Sequence, residues 1–255
     1  MRIEKHDISF NVSGDYSEEW FGGGERSPWS YWESYTFHIL DHYKGGTYID
    51  IGAWIGPTVL YSANLYDRVI AVEPDVIALL RLEENLNANN FSNISIVKKG
   101  LSDNNGKSVF GGNGPLGNSE STLLINDKED FFSYEGRHTN IWTEHDTVQI
   151  DTITIDTLIK EYDIDVNDIN LIKLDVEGGE KIIIPHIKEF LNIHKPTFYV
   201  SLHYCYLRDE EAVEIVNTLF EIYDKCFIVS NNGIFKQVNK KEVLSSKSEN
   251  LVFEK

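Results

Sequence analysis

The stretch Thr47–Gly56, TYIDIGAWIG, holds the residue pattern with the most specific chemistry in this chain. An apolar strand ends in Asp50, and Gly52, Ala53 and Gly56 then turn the chain into a helix opened by Pro57. Small residues let the backbone approach a ligand closely, and the helix start offers free N–H groups. A second strand, IAVEP, ends in Glu73–Pro74, with Glu73 lying 23 residues beyond Asp50. In dinucleotide-binding turns the spacing is G-x-G-x-x-G, and the acid comes only on the second strand, where it binds a ribose. Here the order is D-x-G-x-x-x-G, with a carboxylate ahead of the glycines. Asp50 would repel a pyrophosphate and attract an amino or sulfonium cation. One carboxylate for a cation and one for a ribose fit S-adenosylmethionine (SAM) better than NAD. The competing reading is a strand–turn–helix corner with no ligand.

A second acidic motif, KLDVEGGE at 173–180, ends a later strand. Ligands of open α/β sheets lie beyond the carboxyl ends of the strands, at the point where strand order reverses. Asp175 is therefore expected beside the cofactor and the incoming nucleophile. Alternation puts Lys173 and Asp175 on one face and Leu174 on the other. Glu177 either projects into the cleft or acidifies the next helix start, and Glu180 is read as serving the helix dipole. His203 closes the strand YVSLH. As a neutral imidazole near its ordinary pKa of about 6.5 it would take a proton from a hydroxyl; a histidine bonded within the wall is the equal alternative. Asp175, His203 and Glu177 are thus the candidate catalytic residues. They also offer hard oxygen and imidazole ligands, so a divalent metal such as Mg²⁺ is compatible, although no spacing requires one. Asn85 and Asn89 share a helix face and are expected to bond locally. Ser119 and Ser121 either touch a ligand or form a polar loop.

These motifs need strands and helices in alternation, which the hydropathy pattern supplies. Seven strands are expected, at Thr47–Ile51, Arg68–Val72, Ile94–Lys98, Asn170–Asp175, Thr197–His203, Cys226–Ser230 and Asn250–Phe253. Helix patterns lie at Pro57–Leu65, Val76–Asn89, Ile155–Tyr162, Glu180–Leu191 and Asp209–Ile222. The alternation implies an α/β fold with a mostly parallel sheet. Two segments fall outside it. Residues 1–45 carry an aromatic-rich stretch from Glu18 to Tyr35 around Gly22–Gly24. A long loop from Gly111 to Asp146 includes Phe131, Phe132, Tyr134, His138, Trp142 and His145. Both are expected to cover a cleft in a single domain spanning 1–255, or else to staple long connections to the core.

The ordered blocks YIDIGAWIG, VIAVEPD, LEENLNANN, KGLSDNNGKSVF, VQIDTITIDTLI and LIKLDVEGGE resemble the FkbM family of SAM-dependent O-methyltransferases, from about Tyr35 to His203. The resemblance implies a Rossmann-like class I methyltransferase fold. Seven strands would carry helices on both faces, and the last pair would bring an antiparallel hairpin. SAM would lie over the carboxyl ends of the first strands, with Asp50, Gly52, Ala53, Gly56, Glu73, Pro74 and Asp175 around it and Leu101 and Ser102 at the adenine edge. The acceptor it implies is a hydroxyl of a sugar or glycosylated small molecule. The chain departs from the family at Trp54, where Asn is usual, at Ser201, where an acid is usual, and near Pro185, where Gly is frequent.

Composition narrows the alternatives. With 23 basic and 41 acidic residues the net charge is −18, and no basic stripe is visible, which disfavours nucleic acid as a partner. The N-terminal sequence lacks a signal-like apolar run, and no apolar stretch approaches the length of a membrane span, about 18 residues. Cys205 and Cys226 have no disulfide or metal pattern and read as buried reduced thiols, so a cytoplasmic protein is expected. Methylation of an amine or carboxylate, an oxidoreductase and a catalytically silent SAM-binding module remain as competing functions.

Overall fold

Period-two alternation along the central strands builds two cores at once. In β3 (Thr47–Ile51), Ile49 and Ile51 face one core and Tyr48 the other. Ile172 and Leu174 oppose Leu171, and Phe198 and Val200 oppose Tyr199, in the same way. The computed structural model describes residues 1–22, 27–112, 115–124 and 147–255. Gly23 and Gly24, and the six aromatic and histidine positions expected between Phe131 and His145, lie outside them.

Before β3, β1 (Arg2–Lys5) and β2 (Ile8–Asn11) form an antiparallel hairpin. After it come β4 (Arg68–Val72), β5 (Ile94–Val97), β6 (Gly100–Leu101), β7 (Gly106–Gly112), β8 (Ser121–Leu124) and β9 (Thr147–Ile153). The last five are β10 (Ile169–Leu174), β11 (Thr197–Ser201), β12 (Lys225–Val229), β13 (Phe235–Gln237) and β14 (Asn250–Glu254). The main sheet has eight strands in the order β13-β12-β14-β11-β10-β3-β4-β5. From β5 to β11 all neighbours are parallel, and β14 runs antiparallel to both β11 and β12. All seven expected strands are present in the class I order. The eighth, β13, is a three-residue edge strand, too short and polar to stand out in the sequence.

Both faces of the sheet are covered, as expected. The helices Ile155–Glu161, Glu180–His194, Asp209–Ile222 and Lys240–Ser246 pack on one face, where Leu158, Ile183, Ile187, Ile215, Leu219 and Val243 are buried. The helices Pro57–Ser62 and Val76–Asn87 pack on the other, together with the N-terminal segment. That segment, which falls outside the expected alternation, folds into the hairpin and the helices Asp15–Gly22, Pro28–Tyr31 and Ser34–His42. The expected loop from Gly111 also begins and resumes as strand, because β6, β9, β7 and β8 form a separate four-stranded sheet. Cys226 is buried, whereas Cys205 is exposed, contrary to the reading of two buried thiols. Among the described residues no helix is long and apolar enough to cross a membrane.

Asn85 and Asn89 bond locally, the Asn89 amide donating to the Asn85 carbonyl (2.7 Å), and also over a distance. Asn85 accepts from Ser13 N–H (3.0 Å) and donates to Ser17 Oγ (3.1 Å) and to the Ile55 carbonyl (3.0 Å). Asn89 exchanges two bonds with the Asn11 backbone. A fully buried amide thus ties the N-terminal segment to the Gly52–Gly56 turn. Losing three bonds and orphaning their partners should cost about 2–4 kcal/mol. Asn85→Ala is therefore expected to lower the urea midpoint markedly; an unchanged midpoint would remove this clamp from the account.

Candidate active site

Strand register brings charge together where the strand order reverses. Lys173 of β10 sits between Asp50 of β3 and Tyr199 of β11. All three are at most 2% exposed. Lys173 Nζ lies 3.3 Å from Asp50 Oδ1 and 3.0 Å from Asp175 Oδ2. The other Asp50 oxygen accepts a hydrogen bond from the Thr58 hydroxyl. Burial pushes the Asp50 carboxyl up, against the pull of Lys173 and Thr58. Burial would lower the Lys173 ammonium, yet Asp175, Asp50 and Glu33 together raise it above its ordinary value. This departs from the expectation for Asp50. Its oxygens are held by Lys173 and Thr58 in the sheet interior, so any effect on a bound cation passes through Lys173.

Beyond β3, Gly52 has φ 87°, and a Cβ there would lie 1.9 Å from the Asp175 carbonyl oxygen, so only glycine fits. Gly56, at φ 91°, packs against Leu82 in the same way. Trp54 also adopts the left-handed region, φ 48°, which costs a bulky residue about 1 kcal/mol; asparagine, usual in the resembling family, enters it more readily. Three contacts offset that strain. The Trp54 N–H donates to Glu73 Oε2 (2.8 Å), its indole N–H donates to the Gly117 carbonyl (3.0 Å), and its ring meets Trp20 edge-on at 5.1 Å. Glu73 Oε1 accepts from the Asp75 N–H (2.8 Å). Burial raises the Glu73 carboxyl to about 7.

Two adjoining cavities open at this end of the sheet. The first is largely apolar: Ile51, Val72, Pro74, Leu101, Phe110 and Leu123 line it, with the Glu73 carboxylate and Ser119 and Ser121. Among the described residues the Ser121 hydroxyl is buried there without a hydrogen-bond partner. The second is charged, lined by Glu33, Lys173, Asp175 and Glu177 with Trp32, Ala53 and Thr58. Gly52, Trp54, Ser119, Asp175 and Glu177 belong to both. Ser102 lines neither: its hydroxyl bonds Asp103 and its N–H bonds the Ile153 carbonyl. The segment 115–124 covers the first cavity, anchored by Gly117 N–H on Asp75 (2.6 Å) and by Thr122 on the Val176 carbonyl (2.7 Å).

Around the shared wall stands a cluster of acids with one imidazole at its centre. His203 Nδ1 lies 2.7 Å from Glu180 Oε1, and Nε2 lies 3.4 Å from both Asp175 Oδ1 and Glu177 Oε1. Burial would lower the imidazole pKa, but Glu177, Glu180 and Asp175 push it up to about 12. Of the two readings of His203, a neutral base or a histidine bonded within the wall, this geometry favours the second, with the ring charge stabilised by the surrounding acids. Burial would raise Asp175, yet Lys173 and His203 hold it below the usual carboxylate range, while burial raises Glu177. One ligand atom from each of Asp175, Glu177 and His203 lies within 4.8 Å of the others, a spacing an ion could share.

Two further acids were not foreseen as part of the site. Glu180, read as a helix-dipole partner, is fully buried and orients His203. Glu33 begins the helix Ser34–His42 in a left-handed conformation, φ 35°, and accepts from the Thr36 hydroxyl (3.1 Å). Burial first, and the charge of Asp175 second, raise its carboxyl to about 7. No motif flags it, since only the packing of the N-terminal helices carries it to the charged cavity.

Comparison with known proteins places this geometry in a family. No curated protein matches the chain. Among solved structures, the methyltransferase FkbM of Methylobacillus flagellatus aligns with 95% of this chain at 19% identity and a TM-score of 0.48. The chain spans 48% of that protein's length. A precorrin 8W decarboxylase from Methanobacterium thermoautotrophicum aligns over 87% of this chain and 88% of its own, at 14% identity and a TM-score of 0.43. SMU.1697c of Streptococcus mutans, solved in complex with SAH, covers 25% of this chain and 38% of its own, at 23% identity and a TM-score of 0.23. The family model of the methyltransferase FkbM domain matches residues 50–226, from Asp50 through the acidic cluster to β12. The chain belongs to the FkbM methyltransferase family.

Proposed function

We propose that this methyltransferase uses SAM to methylate a hydroxyl of a sugar or glycosylated small molecule. The observation that carries the reading is the pair of adjoining cavities sharing the Gly52–Asp175 wall, one largely apolar with Glu73 on its far side and one charged. The apolar cavity suits a nucleoside. Each Glu73 oxygen accepts one backbone N–H and keeps further lone pairs for ribose hydroxyls. Ser121 offers an unused buried hydroxyl, and Pro74, Leu101 and Phe110 provide apolar surface for a base. Ala53 and Gly52 leave room for the methionine part, and Lys173 supplies a cation for its carboxylate, while Gly56 fills its place in the turn against Leu82. When bound, SAM supplies an electrophilic methyl group on a sulfonium.

The acceptor hydroxyl enters the charged cavity. Asp175, held ionised by Lys173 and His203, accepts its hydrogen bond and orients it. His203 keeps Asp175 and Glu177 in place and has no lone pair free for the proton. Glu33, raised to about 7, takes that proton, in the range where a general base works best near neutral pH. Trp32 at the rim offers a ring face for a sugar. The net charge of −18 supports a small acceptor over a nucleic acid.

The direct test is a methyl-transfer screen with labelled SAM against nucleotide sugars and oligosaccharides, with amine and carboxylate acceptors in parallel. Transfer only to the latter pair would overturn the hydroxyl reading. Glu73→Gln should weaken SAM binding in calorimetry by about ten- to a hundredfold, as a charged acceptor is lost; full affinity would end its ribose role. A base must be ionised, so kcat/KM should rise with pH through about 7, and Glu33→Gln should lower it about a hundredfold and flatten that rise. An unaltered profile would reassign the base. In ¹⁵N NMR with chelator present, His203 should keep its doubly protonated signature above pH 9, beyond the ordinary value of about 6.5. A neutral ring at pH 8 would contradict the acidic cage.

A further inference from the structure

Away from the cleft, a second set of ligand-type side chains meets at the N-terminal hairpin. His6 occupies the turn between β1 and β2 in a left-handed conformation, φ 49°, which a non-glycine residue adopts only when its surroundings hold it there. His38 and Asp41 lie three apart on the helix Ser34–His42, hence on one face. His6 Nδ1 is 2.7 Å from Asp41 Oδ2, and the His6 and His38 rings stack with centroids 4.8 Å apart. One ligand atom from each of the three residues falls within 4.8 Å of the other two.

The surroundings are organised around these groups. The Tyr61 hydroxyl donates to the second Asp41 oxygen (2.7 Å) and lies 3.1 Å from His6 Nδ1. Gly233 backs the His38 ring so closely that a Cβ there would sit 2.9 Å from Nδ1, at a φ of 77°. A carboxylate held by a second hydrogen bond is the kind of support that metal ligands use, and the close packing of Gly233 limits where the His38 ring can lie. Neither the stacked imidazoles nor the carboxylate contributes to the cavities described above.

We propose that His6, His38 and Asp41 form a binding site for a divalent transition metal of the zinc type. Two imidazoles and one carboxylate are a donor set for that class, with water completing the coordination, and are poorly suited to Mg²⁺ or Ca²⁺. The metal takes the place of the proton shared by His6 and Asp41. It fastens the hairpin turn to the helix Ser34–His42, whose first residue follows Glu33. Through Tyr61 it also braces the helix Pro57–Ser62, which carries Thr58.

The test uses the full chain, stripped with chelator, in a His203→Gln background that removes the cleft trio as a competing site. Zn²⁺ is titrated by calorimetry and Co²⁺ by its visible absorption. One equivalent is expected, with a rise in the thermal midpoint. His38→Gln and Asp41→Asn should each weaken binding at least tenfold, and Tyr61→Phe about tenfold. His6→Gln, at an exposed turn position, should remove one imidazole from the Co²⁺ spectrum and weaken affinity likewise. No saturable binding at micromolar zinc, or binding that His6→Gln and His38→Gln leave unchanged, overturns the proposal.

Discussion

The buried ammonium of Lys173 is the interaction on which the cleft depends. It lies on β10 beside β3, at the seam where strand order reverses, and it is compensated from both sides by Asp50 and Asp175. A charge so deep is tolerated only when paired, and removing one partner of such a pair strands the other in a dry interior. Each neighbouring feature follows from that arrangement. Asp175 stays ionised because Lys173 and His203 face it, and His203 stays charged because Glu177, Glu180 and Asp175 surround it. Glu33, burdened by burial and by Asp175, is left with its proton easily exchanged near neutrality. A sheet built on hydrophobic alternation thus ends in an alternating array of charge.

The N-terminal segment completes this array rather than merely covering it. Its attachment is mainly polar at one end and aromatic at the other. Asn85 and Asn89 hold Asn11, Ser13 and Ser17, while Trp20, Phe21, Trp29, Trp32 and Phe37 pack ring against ring toward Trp54. Lys5 threads between these rings, its ammonium 4.1 Å from the Phe37 centroid and bonded to the Trp29 and Trp32 carbonyls. The outcome is a wall that delivers Glu33 and Trp32 to the charged cavity from outside the sheet.

How much of this could be read from the residues depends on the range of the forces involved. Thr47–Ile51 and Arg68–Val72 have the observed strand limits because strands buried on both faces must be apolar runs, whatever surrounds them. That Lys173 and Asp175 share a face follows from two-residue alternation; that they form an ion pair there is added by the structure. Asp50 was read toward a ligand because its partner, Lys173, lies 123 residues away and nothing local announces the pair. Glu180 resembled any acid at a helix start; only complete burial marks it as the anchor of His203. Glu33 and β13 carry no motif, and tertiary packing alone gives them a place.

The absent side chain of Gly52 has a mechanical consequence. The turn after β3 and the turn after β10 touch backbone to backbone there, with the Asp175 N–H also bonded to the Ile51 carbonyl (3.0 Å) and the Gly52 N–H to the Val72 carbonyl (3.0 Å). Three strand ends are thereby welded into one rigid floor with no slack between them. Ligand traffic has to pass through the walls, where segment 115–124 is held by side chains of Asp75, Trp54 and Arg81 on Gly117 and by Thr122 on the Val176 carbonyl. The floor sets the alignment of the reacting groups, and the walls set how quickly they are exchanged.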